Sequence, residues 1–587
     1  MRFRPILLAL IVFSVVFQTL AGGEGPPSEP ILVIETKMHT ASIKRIAVAP
    51  SDKYIVTASF DKTVRLWELS TGALVRTFRP PIDSKADGRV FALAVSPDGR
   101  TLACAGWMGF RWERSHSVYL FDIETGKLTK RIGGLPVAAL QLAYSKDGRY
   151  LAVTLARGGI RIFGTPDYIQ AASDTDYGSL CVGAEFDSKG RLVTASFDGF
   201  IRLYSSSFNL ILKEQAKGGA LPYTVGFSPD GAKIAVGFQD APKVDVLSSD
   251  DLYLLYVPET GDITAGNLAS VAWSSDGKSL YAGGVFAAGG TNFIRKWPDA
   301  GMGKPKDLPA TDNTVTSIAA IASGGIAFGT AGPAFGIFDS NDELTFYKNS
   351  SIADYRAEQG AFLVSHGGEA VRFSYEFGET PALFSYEKKL ILNSPEEKSL
   401  AHPITEAGGV KVAGWENTYF PELDGKPLEL EPFEMSRTLA IAPDKKSFLL
   451  GADFTLRLYD RKGDMKWQVM TPEVTWAVNI AGNGKTAVAA FGDGTIRWYR
   501  ISDGEELVCL FLSSDKKTWV ISTPMGYYET SGEGKGLIGW HMNGAADKEA
   551  AFTASPEFFK RFHRPDVIAE VIKSGRTDGE ILRAGAR

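Results

Sequence analysis

Short stretches in which apolar and polar residues alternate recur along most of the chain. Clear examples are residues 64–67 (Val-Arg-Leu-Trp), 160–163 (Ile-Arg-Ile-Phe), 201–204 (Ile-Arg-Leu-Tyr) and 496–499 (Ile-Arg-Trp-Tyr). A period of two residues predicts strands that bury one face more than the other. The aromatic residue that closes each stretch is expected to pack between neighbouring sheets. The pattern therefore predicts an all-β fold built from many short strands.

A four-residue turn of the Ser-Pro-Asp-Gly type returns at nearly constant spacing. It stands at residues 96–99, 145–148, 228–231 and 274–277, and residues 187–190 hold a close variant. The steps from one turn glycine to the next are 49, 42, 41 and 46 residues. A fixed period in the forties, made of short strands, is typical of a β-propeller with WD-type blades.

The length of the chain predicts more than one such ring. A seven-bladed ring needs about 300 residues at roughly 40–45 per blade, and the chain has 587. Seven units between residues 38 and 347 predict a first propeller over residues 30–347, with residues 31–35 adding an outer strand to its last blade. Blade-like segments near residues 353–392, 398–430, 436–470, 474–510 and 516–550 predict a second, degenerate propeller over residues 348–555. Residues 556–587 lack the strand pattern and predict a short helical cap or tail.

The first residues have the pattern of a secretory signal peptide. Arg2 and Arg4 precede an apolar run over residues 6–20, and small residues follow at Ala21 and Gly22. We therefore expect residues 1–23 to be a cleaved signal, the chain to be periplasmic or secreted in a bacterium, and no membrane span to remain after cleavage. An uncleaved membrane anchor is the alternative.

Charge and cysteine content exclude several classes of function. The net charge is only −5, with no polybasic stretch, so we expect no nucleic-acid partner. The three cysteines, Cys104, Cys181 and Cys509, are widely spaced in apolar contexts and predict buried free thiols. Neither a metal-ligand spacing nor a cofactor motif is present, so we expect no metal and no cofactor.

The first unit holds four residue types that form a buried hydrogen-bonded chain in WD blades. They are His39, Ser59, Asp61 and Trp67, and the expected order is indole, hydroxyl, imidazole and carboxylate. A catalytic Ser-His-Asp set is the alternative, but its hydroxyl would be buried rather than exposed. We therefore predict a structural network.

Several longer motifs are more specific than the repeat itself. They are residues 106–112 (Gly-Trp-Met-Gly-Phe-Arg-Trp), 491–499 (Phe-Gly-Asp-Gly-Thr-Ile-Arg-Trp-Tyr), 523–528 (Thr-Pro-Met-Gly-Tyr-Tyr), 537–543 (Leu-Ile-Gly-Trp-His-Met-Asn) and 562–568 (Phe-His-Arg-Pro-Asp-Val-Ile). In these motifs the chain resembles bacterial WD-repeat proteins that often continue into a caspase-like (peptidase C14) domain. The resemblance covers nearly all of residues 38–570 and implies the WD-repeat part without the protease. Ser365-His366-Gly367-Gly368 is similar to that family's histidine-glycine motif but has the sequence context of a blade hairpin, and Cys509 lacks the nucleophile's context.

An insertion in the second unit is the best candidate for partner binding. Residues 106–116 replace a tight hairpin and carry the candidate partner-binding residues Trp107, Phe110, Arg111 and Trp112. Aromatic and arginine side chains on a loop are typical of interface hot spots. The alternative is that the tryptophans fold back to plug the central channel or to cover the neighbouring blade. A second aromatic group, Tyr527, Tyr528, Trp540 and His541, is expected to be structural.

The sequence predicts an exported, non-catalytic scaffold that binds protein partners through its propeller faces. The alternative is a propeller enzyme, lactonase-like or a cofactor-dependent dehydrogenase, with its active site at a central channel. Such an enzyme needs carboxylates or histidines that converge on the channel. The predicted inner strands, residues 43–48, 90–95 and 140–143, are expected to offer almost no polar groups to the channel, which favours the scaffold.

Overall fold

The computed structural model describes residues 25–85 and 87–585, and the predicted signal peptide lies outside them. Strands are the predominant secondary structure of the described chain. The first strand, β1 (Ile31–Ile34), is followed by seven consecutive four-stranded antiparallel sheets between Ile43 and Lys348. The chain has the all-β WD40-propeller fold, with short helices at its C-terminal end. Over the described ranges, no helix combines the length and the apolar character needed to cross a membrane.

Each of the seven sheets pairs four strands in chain order. The strands are β2–β5 (Ile43–Val48, Tyr54–Ser59, Val64–Glu68, Leu74–Phe78), β6–β9 (Arg89–Val95, Thr101–Trp107, His116–Asp122, Leu128–Leu135), β10–β13 (Ala139–Tyr144, Tyr150–Leu155, Ile160–Gly164, Ile169–Asp174), β14–β17 (Cys181–Phe186, Leu192–Ser196, Phe200–Tyr204, Leu210–Gln215), β18–β21 (Pro222–Phe227, Lys233–Phe238, Val244–Ser248, Leu254–Tyr256), β22–β25 (Ser270–Trp273, Leu280–Ala288, Thr291–Trp297, Lys306–Thr311) and β26–β29 (Val315–Ala320, Ile326–Thr330, Phe335–Phe338, Leu344–Lys348). We refer to these sheets as blades one to seven.

The first strands of the blades form a closed ring. Each contacts the first strand of the next blade, and β26 of blade seven contacts β2 of blade one. Hydroxyl groups join several of these neighbours: the Val271 amide donates to Thr224 Oγ1 at 2.9 Å, and the Ile318 amide donates to Ser270 Oγ at 3.0 Å. Because these amides lie on inner strand edges, the side-chain bonds satisfy backbone groups that the sheets leave unpaired. The blades pack face to face through buried apolar side chains.

The second half of the chain is also built of antiparallel sheets, but their sizes differ. A five-stranded sheet contains β30–β34 (Leu363–Ser365, Ala370–Glu376, Glu379–Ser385, Lys389–Leu392, Leu400–Ala401), a short one contains β35–β37 (Val412–Ala413, Glu422–Leu423, Lys426–Pro427), a four-stranded one contains β38–β41 (Ser436–Ile441, Ser447–Ala452, Thr455–Asp460, Met465–Met470) and a six-stranded one contains β42–β47 (Thr475–Ile480, Thr486–Phe491, Thr495–Arg500, Glu506–Leu512, Trp519–Ser522, Tyr528–Thr530). The last sheet joins β1 to β48 (Ile538–Met542) and β49 (Ala551–Thr553). The domain boundary near residue 348 stays a prediction.

Two expectations about strand pairing are wrong. The segment at residues 31–35 does not add a strand to blade seven, because β1 pairs with β48 over Ile31↔His541 to Ile34↔Ile538. Residues 516–550 do not form a separate blade: β46 pairs with β45, and β47 pairs with β46. The tight turn at Asp515, whose carboxylate accepts the Thr518 amide at 2.8 Å, folds the chain straight back onto the same sheet.

Three helices end the chain, and they pack on the second half. They are α2 (Pro556–Phe562), α3 (Pro565–Ser574) and α4 (Asp578–Gly585), and α1 (Phe110–Glu113) is a single turn in blade two. Ser555 caps α2 by accepting the Glu557 amide, and proline stands at the first turns of α2 and α3. Val567, Ile568 and Val571 of α3 are buried in the core of the six-stranded sheet.

The second half covers one face of the ring. The Ser42 amide donates to Glu473 Oε1 at 2.8 Å, and Arg89 donates to the Thr471 carbonyl. The ring of Phe433 contacts that of Phe197, with 4.6 Å between centroids. These contacts lie on the face that holds the hairpins between the second and third strands of the blades. The opposite face carries the Ser-Pro-Asp-Gly turns.

Candidate functional site

The insertion predicted in blade two joins β7 to β8 and is a structured loop. It runs over residues 106–116 and contains the single helical turn α1. Gly109 precedes this turn with φ of 95°, in the left-handed region that glycine tolerates best. Arg114 ends it with φ of 57°, and its amide donates to the Phe110 carbonyl at 3.0 Å.

Aromatic packing holds the base of this loop. The imidazole of His116 lies edge-on to Trp107, with 5.6 Å between centroids, and stacks on Phe110 at 5.4 Å. Met108 is fully buried against the core between blades one and two. Trp107 and Phe110 are partly buried. These four side chains therefore contribute to the packing of the loop itself.

The tip of the loop is fixed by two aspartates from the preceding connection. The Arg111 amide donates to Asp87 Oδ2 at 2.7 Å, and Arg111 Nε lies 3.0 Å from Asp83 Oδ2. The Arg111 side chain remains 46% exposed. The indole nitrogen of Trp112 is buried and has no hydrogen-bond partner among the described residues. Among the four candidate residues, Arg111 is thus the one that presents a charged group to solvent.

Burial shifts the pKa of several groups around this loop. It raises the pKa of Asp87 to about 6, despite the Arg111 amide bond, and the nearby Asp83 carboxylate acts in the same direction. It lowers the pKa of His116 to about 4, which keeps the imidazole neutral. It also lowers the pKa of Lys62 to about 8, although Asp83 opposes that shift. The Lys62 ammonium donates to the carbonyls of Asp83 at 2.9 Å and Lys85 at 2.5 Å, and so links blade one to this site.

The buried polar chain of blade one contains His39, Asp61 and Trp67, but its hydroxyl is Thr57. Trp67 Nε1 donates to Thr57 Oγ1 at 2.8 Å, which lies 2.7 Å from His39 Nε2. His39 Nδ1 lies 2.7 Å from Asp61 Oδ2. Ser59 is not part of this chain, which corrects the expected order: its Oγ donates to the Ala41 carbonyl at 2.7 Å and accepts the Asp61 amide.

These partners assign the protons and the role of the network. Because the Asp61 carboxylate can only accept, His39 donates to it from Nδ1–H, and the remaining nitrogen, Nε2, accepts the proton of Thr57 Oγ1. Burial lowers the pKa of His39 and keeps it neutral. Burial also opposes ionisation of Asp61, but the bonds from His39 and the charge of Arg65 hold the Asp61 pKa below its usual range. A hydroxyl enclosed by an indole and an imidazole has no access to a substrate, so the network stabilises the blade.

The central channel of the ring is crossed by an arginine that the sequence pattern did not single out. Arg45 of β2 donates from Nε to Gln141 Oε1 at 2.6 Å and from Nη2 to the Val182 carbonyl at 3.2 Å. Its guanidinium also lies over the Tyr223 ring, 5.5 Å from the centroid. Arg45 and Gln141 correct the expectation that the inner strands have few polar groups. These groups bind one another and tie blades one, three, four and five together.

The remaining candidates have structural positions. Trp540 packs against Phe559 at 4.9 Å and Phe562 at 5.8 Å, while Tyr528 is buried beside them, so the second aromatic group belongs to a core with α2. All three cysteines are free, and burial raises the pKa of Cys509 to about 12. Within residues 25–85 and 87–585, no group of three or more His, Cys, Asp or Glu side chains is placed to hold a metal ion.

Comparison with known proteins identifies a repeat in the first blade. Residues 30–68 match the family model described as WD domain, G-beta repeat. The WD repeat-containing protein SL1-17 of Schistosoma mansoni is 25% identical over 190 residues, which are 32% of this chain and 59% of that protein. The chain contains a WD repeat and has the fold of WD40 propellers. The matched residues include the whole polar network of blade one.

Parts of the chain are also similar to proteins of other kinds. Telomerase protein component 1 of Mus musculus is 24% identical over 213 residues, which are 35% of this chain. THO complex subunit 3 of Arabidopsis thaliana is 25% identical over 210 residues, which are 35% of this chain and 62% of that protein. The match spans only 8% of the mouse telomerase component. The similarity is therefore confined to a small part of that relative.

Proposed function

We propose that this WD40-repeat protein is a non-catalytic scaffold that binds a protein partner at the rim of its first ring, through the loop at residues 106–116. The observation that carries the proposal is the way Arg111 is held. Its amide is fixed by Asp87 and its guanidinium by Asp83, while the side chain stays 46% exposed. A charged side chain mounted on a rigid loop loses little conformational entropy when it binds a partner.

The channel supports a scaffold over a propeller enzyme. Two polar residues of the inner strands, Arg45 and Gln141, bind one another across the channel. A second polar chain, that of blade one, is buried within the blade. Relatives that are subunits or components of larger assemblies by name are consistent with a partner protein. We propose no nucleic-acid partner.

We also propose that the protein is exported, with residues 1–23 as the cleaved signal, and acts in the periplasm or outside a bacterial cell. N-terminal sequencing of protein recovered from the envelope fraction tests this step, and a first residue near position 24 is expected. Recovery of Met1 in the cytosolic fraction would contradict it. The resemblance to chains that continue into a caspase-like domain makes a separate protease the first class of partner to test.

Site-specific crosslinking tests the partner-binding loop. A photoreactive residue replaces Arg111 in one protein and Ile169 in a control protein, because Ile169 is 71% exposed on an outer strand of blade three. We expect one envelope protein to crosslink at position 111 only, and excess unlabelled wild type to compete while the R111A protein does not. The same products at both positions, or equal competition by both proteins, would refute the assignment.

A further inference from the structure

The most exposed large apolar side chain in the described part of the protein lies far from the candidate loop in the sequence. It is Phe420, which is 77% exposed, and its neighbour Tyr419 is 44% exposed. The two rings lie edge to face, with 6.4 Å between centroids. They belong to the connection between β35 and β36, the shortest sheet of the second half. Contiguous exposed aromatic surface of this kind marks interaction sites in soluble proteins.

Hydrogen bonds to the neighbouring sheet hold this connection in place. The Ser436 amide donates to the Thr418 carbonyl at 2.8 Å, and Arg437 Nη1 donates to Asn417 Oδ1 at 2.7 Å. The Phe420 amide donates to Thr418 Oγ1 at 3.2 Å. The exposed rings are therefore presented by a fixed backbone, which lowers the entropic cost of binding.

The segment that carries these rings is rich in acidic residues. Residues 404–431 contain six carboxylates and two lysines. The six are Glu406, Glu416, Glu422, Asp424, Glu429 and Glu431, and all except Glu431 are exposed. In the described ranges, none of the six has an ion-pair partner within 4.0 Å. Two exposed aromatic rings near unpaired carboxylates favour the binding of a cation that also has a flat, apolar face.

Elsewhere in the protein, an arginine stacks on another exposed phenylalanine. Phe377 is 60% exposed, and the guanidinium of Arg356 lies 5.2 Å from its ring centroid. The same guanidinium donates to Asp354 Oδ2 at 2.6 Å and Asp312 Oδ2 at 2.8 Å. Stacking on a ring together with carboxylate bonds is the combination that arginine provides and lysine does not.

We propose that Tyr419, Phe420 and the surrounding carboxylates form a docking surface for an arginine-containing segment of a partner protein. The guanidinium stacks on Phe420 and donates to Glu416 or Glu422, as Arg356 does with Phe377 and its two aspartates. This surface deepens the proposed scaffold function and rests on it for its biological partner, but the chemistry of recognition can be measured without that partner.

Fluorescence anisotropy with a defined peptide tests the surface. The probe is fluorescein-labelled Gly-Gly-Arg-Gly-Arg-Gly-Gly, titrated with the full chain, and the matched probe has citrulline in place of each arginine. We expect the arginine peptide to bind and the citrulline peptide not to bind. F420A is expected to weaken binding about tenfold, and F420W to retain it, because tryptophan offers the better ring for a cation. Doubly substituted E416Q/E422Q should bind more weakly and lose most of the salt dependence.

The F377A protein is the matched control, since it removes another exposed phenylalanine, and its affinity should equal that of wild type. Equal binding of arginine and citrulline peptides, or equal affinity of F420A and wild type, would overturn the docking surface. The unfolding midpoint of F420A should agree with that of wild type because Phe420 is exposed. Failure of this titration leaves the crosslinking result at position 111 unaffected, so the two proposals fail separately.

Discussion

Blades one and two build the same hairpin, between their second and third strands, in two different ways. In blade one, residues 59–63 form a tight turn above the buried chain Trp67, Thr57, His39 and Asp61. In blade two, residues 106–116 form a longer loop held by Met108, by the stacked ring of His116 and by Asp87. One hairpin is fixed mainly by hydrogen bonds, and the other combines apolar packing with charge.

The strand registers explain this difference. Tyr54 and Thr101 begin the second strands after equivalent turns, so Cys104 occupies in blade two the position of Thr57 in blade one. By the same register Phe121 stands where Trp67 stands. Neither replacement can continue a chain from indole to hydroxyl to imidazole. Blade two therefore needs other contacts to fix its hairpin, and the insertion supplies them.

The largest expected effect is the loss of the buried methionine in blade two. M108A should lower the free energy of unfolding by about 2–5 kcal/mol, because it removes a fully buried side chain and leaves a cavity. M302A is the matched control, since Met302 is 66% exposed and its loss should change stability by less than about 0.5 kcal/mol. Urea unfolding of both proteins measures the difference. Equal stability of the two variants would mean that the insertion is not anchored by apolar packing.

The second effect separates the two hydroxyl groups of blade one. T57V keeps the shape of the side chain but leaves Trp67 Nε1 and His39 Nε2 without a partner, which should cost about 1–3 kcal/mol. S59A removes the bond to the Ala41 carbonyl and should cost about 1 kcal/mol. Thermal and urea unfolding of the two variants give the comparison. A larger loss in S59A than in T57V would restore serine as the central hydroxyl.

These two residues also show what the sequence could predict. The turn spacing and strand alternation determine repeated four-stranded sheets, because each blade is a local unit of consecutive strands. Choosing between Thr57 and Ser59 required the strand register, since residues two apart point to the same side of a strand. Both have hydroxyls, so residue type does not distinguish them.

Contacts between distant segments were harder to predict. The pairing of β1 with β48 joins residues about 500 positions apart in the chain, and the local pattern of residues 31–35 fits any sheet edge. Similarly, Arg45 follows Lys44 in β2, and only the closed ring brings Gln141 to its guanidinium. For the candidate loop, the sequence predicted that aromatic and arginine side chains would be available to bind a partner. It did not predict that Trp107 and Phe110 pack on His116 while Arg111 stays exposed.

The smallest expected effect is a pH dependence specific to the hairpin of blade two. The pKa of Asp87 is raised to about 6, so the folded protein holds this proton more tightly than the unfolded chain, whose aspartate titrates near 4. Stability from this group is therefore present at low pH and is lost as pH rises through 6. Lowering the pH from 7 to 5 should stabilise wild type by about 1 kcal/mol relative to D87N. The side-chain oxygen of asparagine can still accept a hydrogen bond from the Arg111 backbone amide, so the loop should keep its conformation.

D98N is the control. Hydrogen bonds in the turn, led by that from Ser96, lower the pKa of Asp98, so the stability difference between D98N and wild type should not change between pH 7 and 5. If the stabilities of D87N and wild type change in parallel over that range, Asp87 is ionised throughout. The hydrogen bond from the Arg111 amide would then lower the pKa of Asp87 by more than burial raises it.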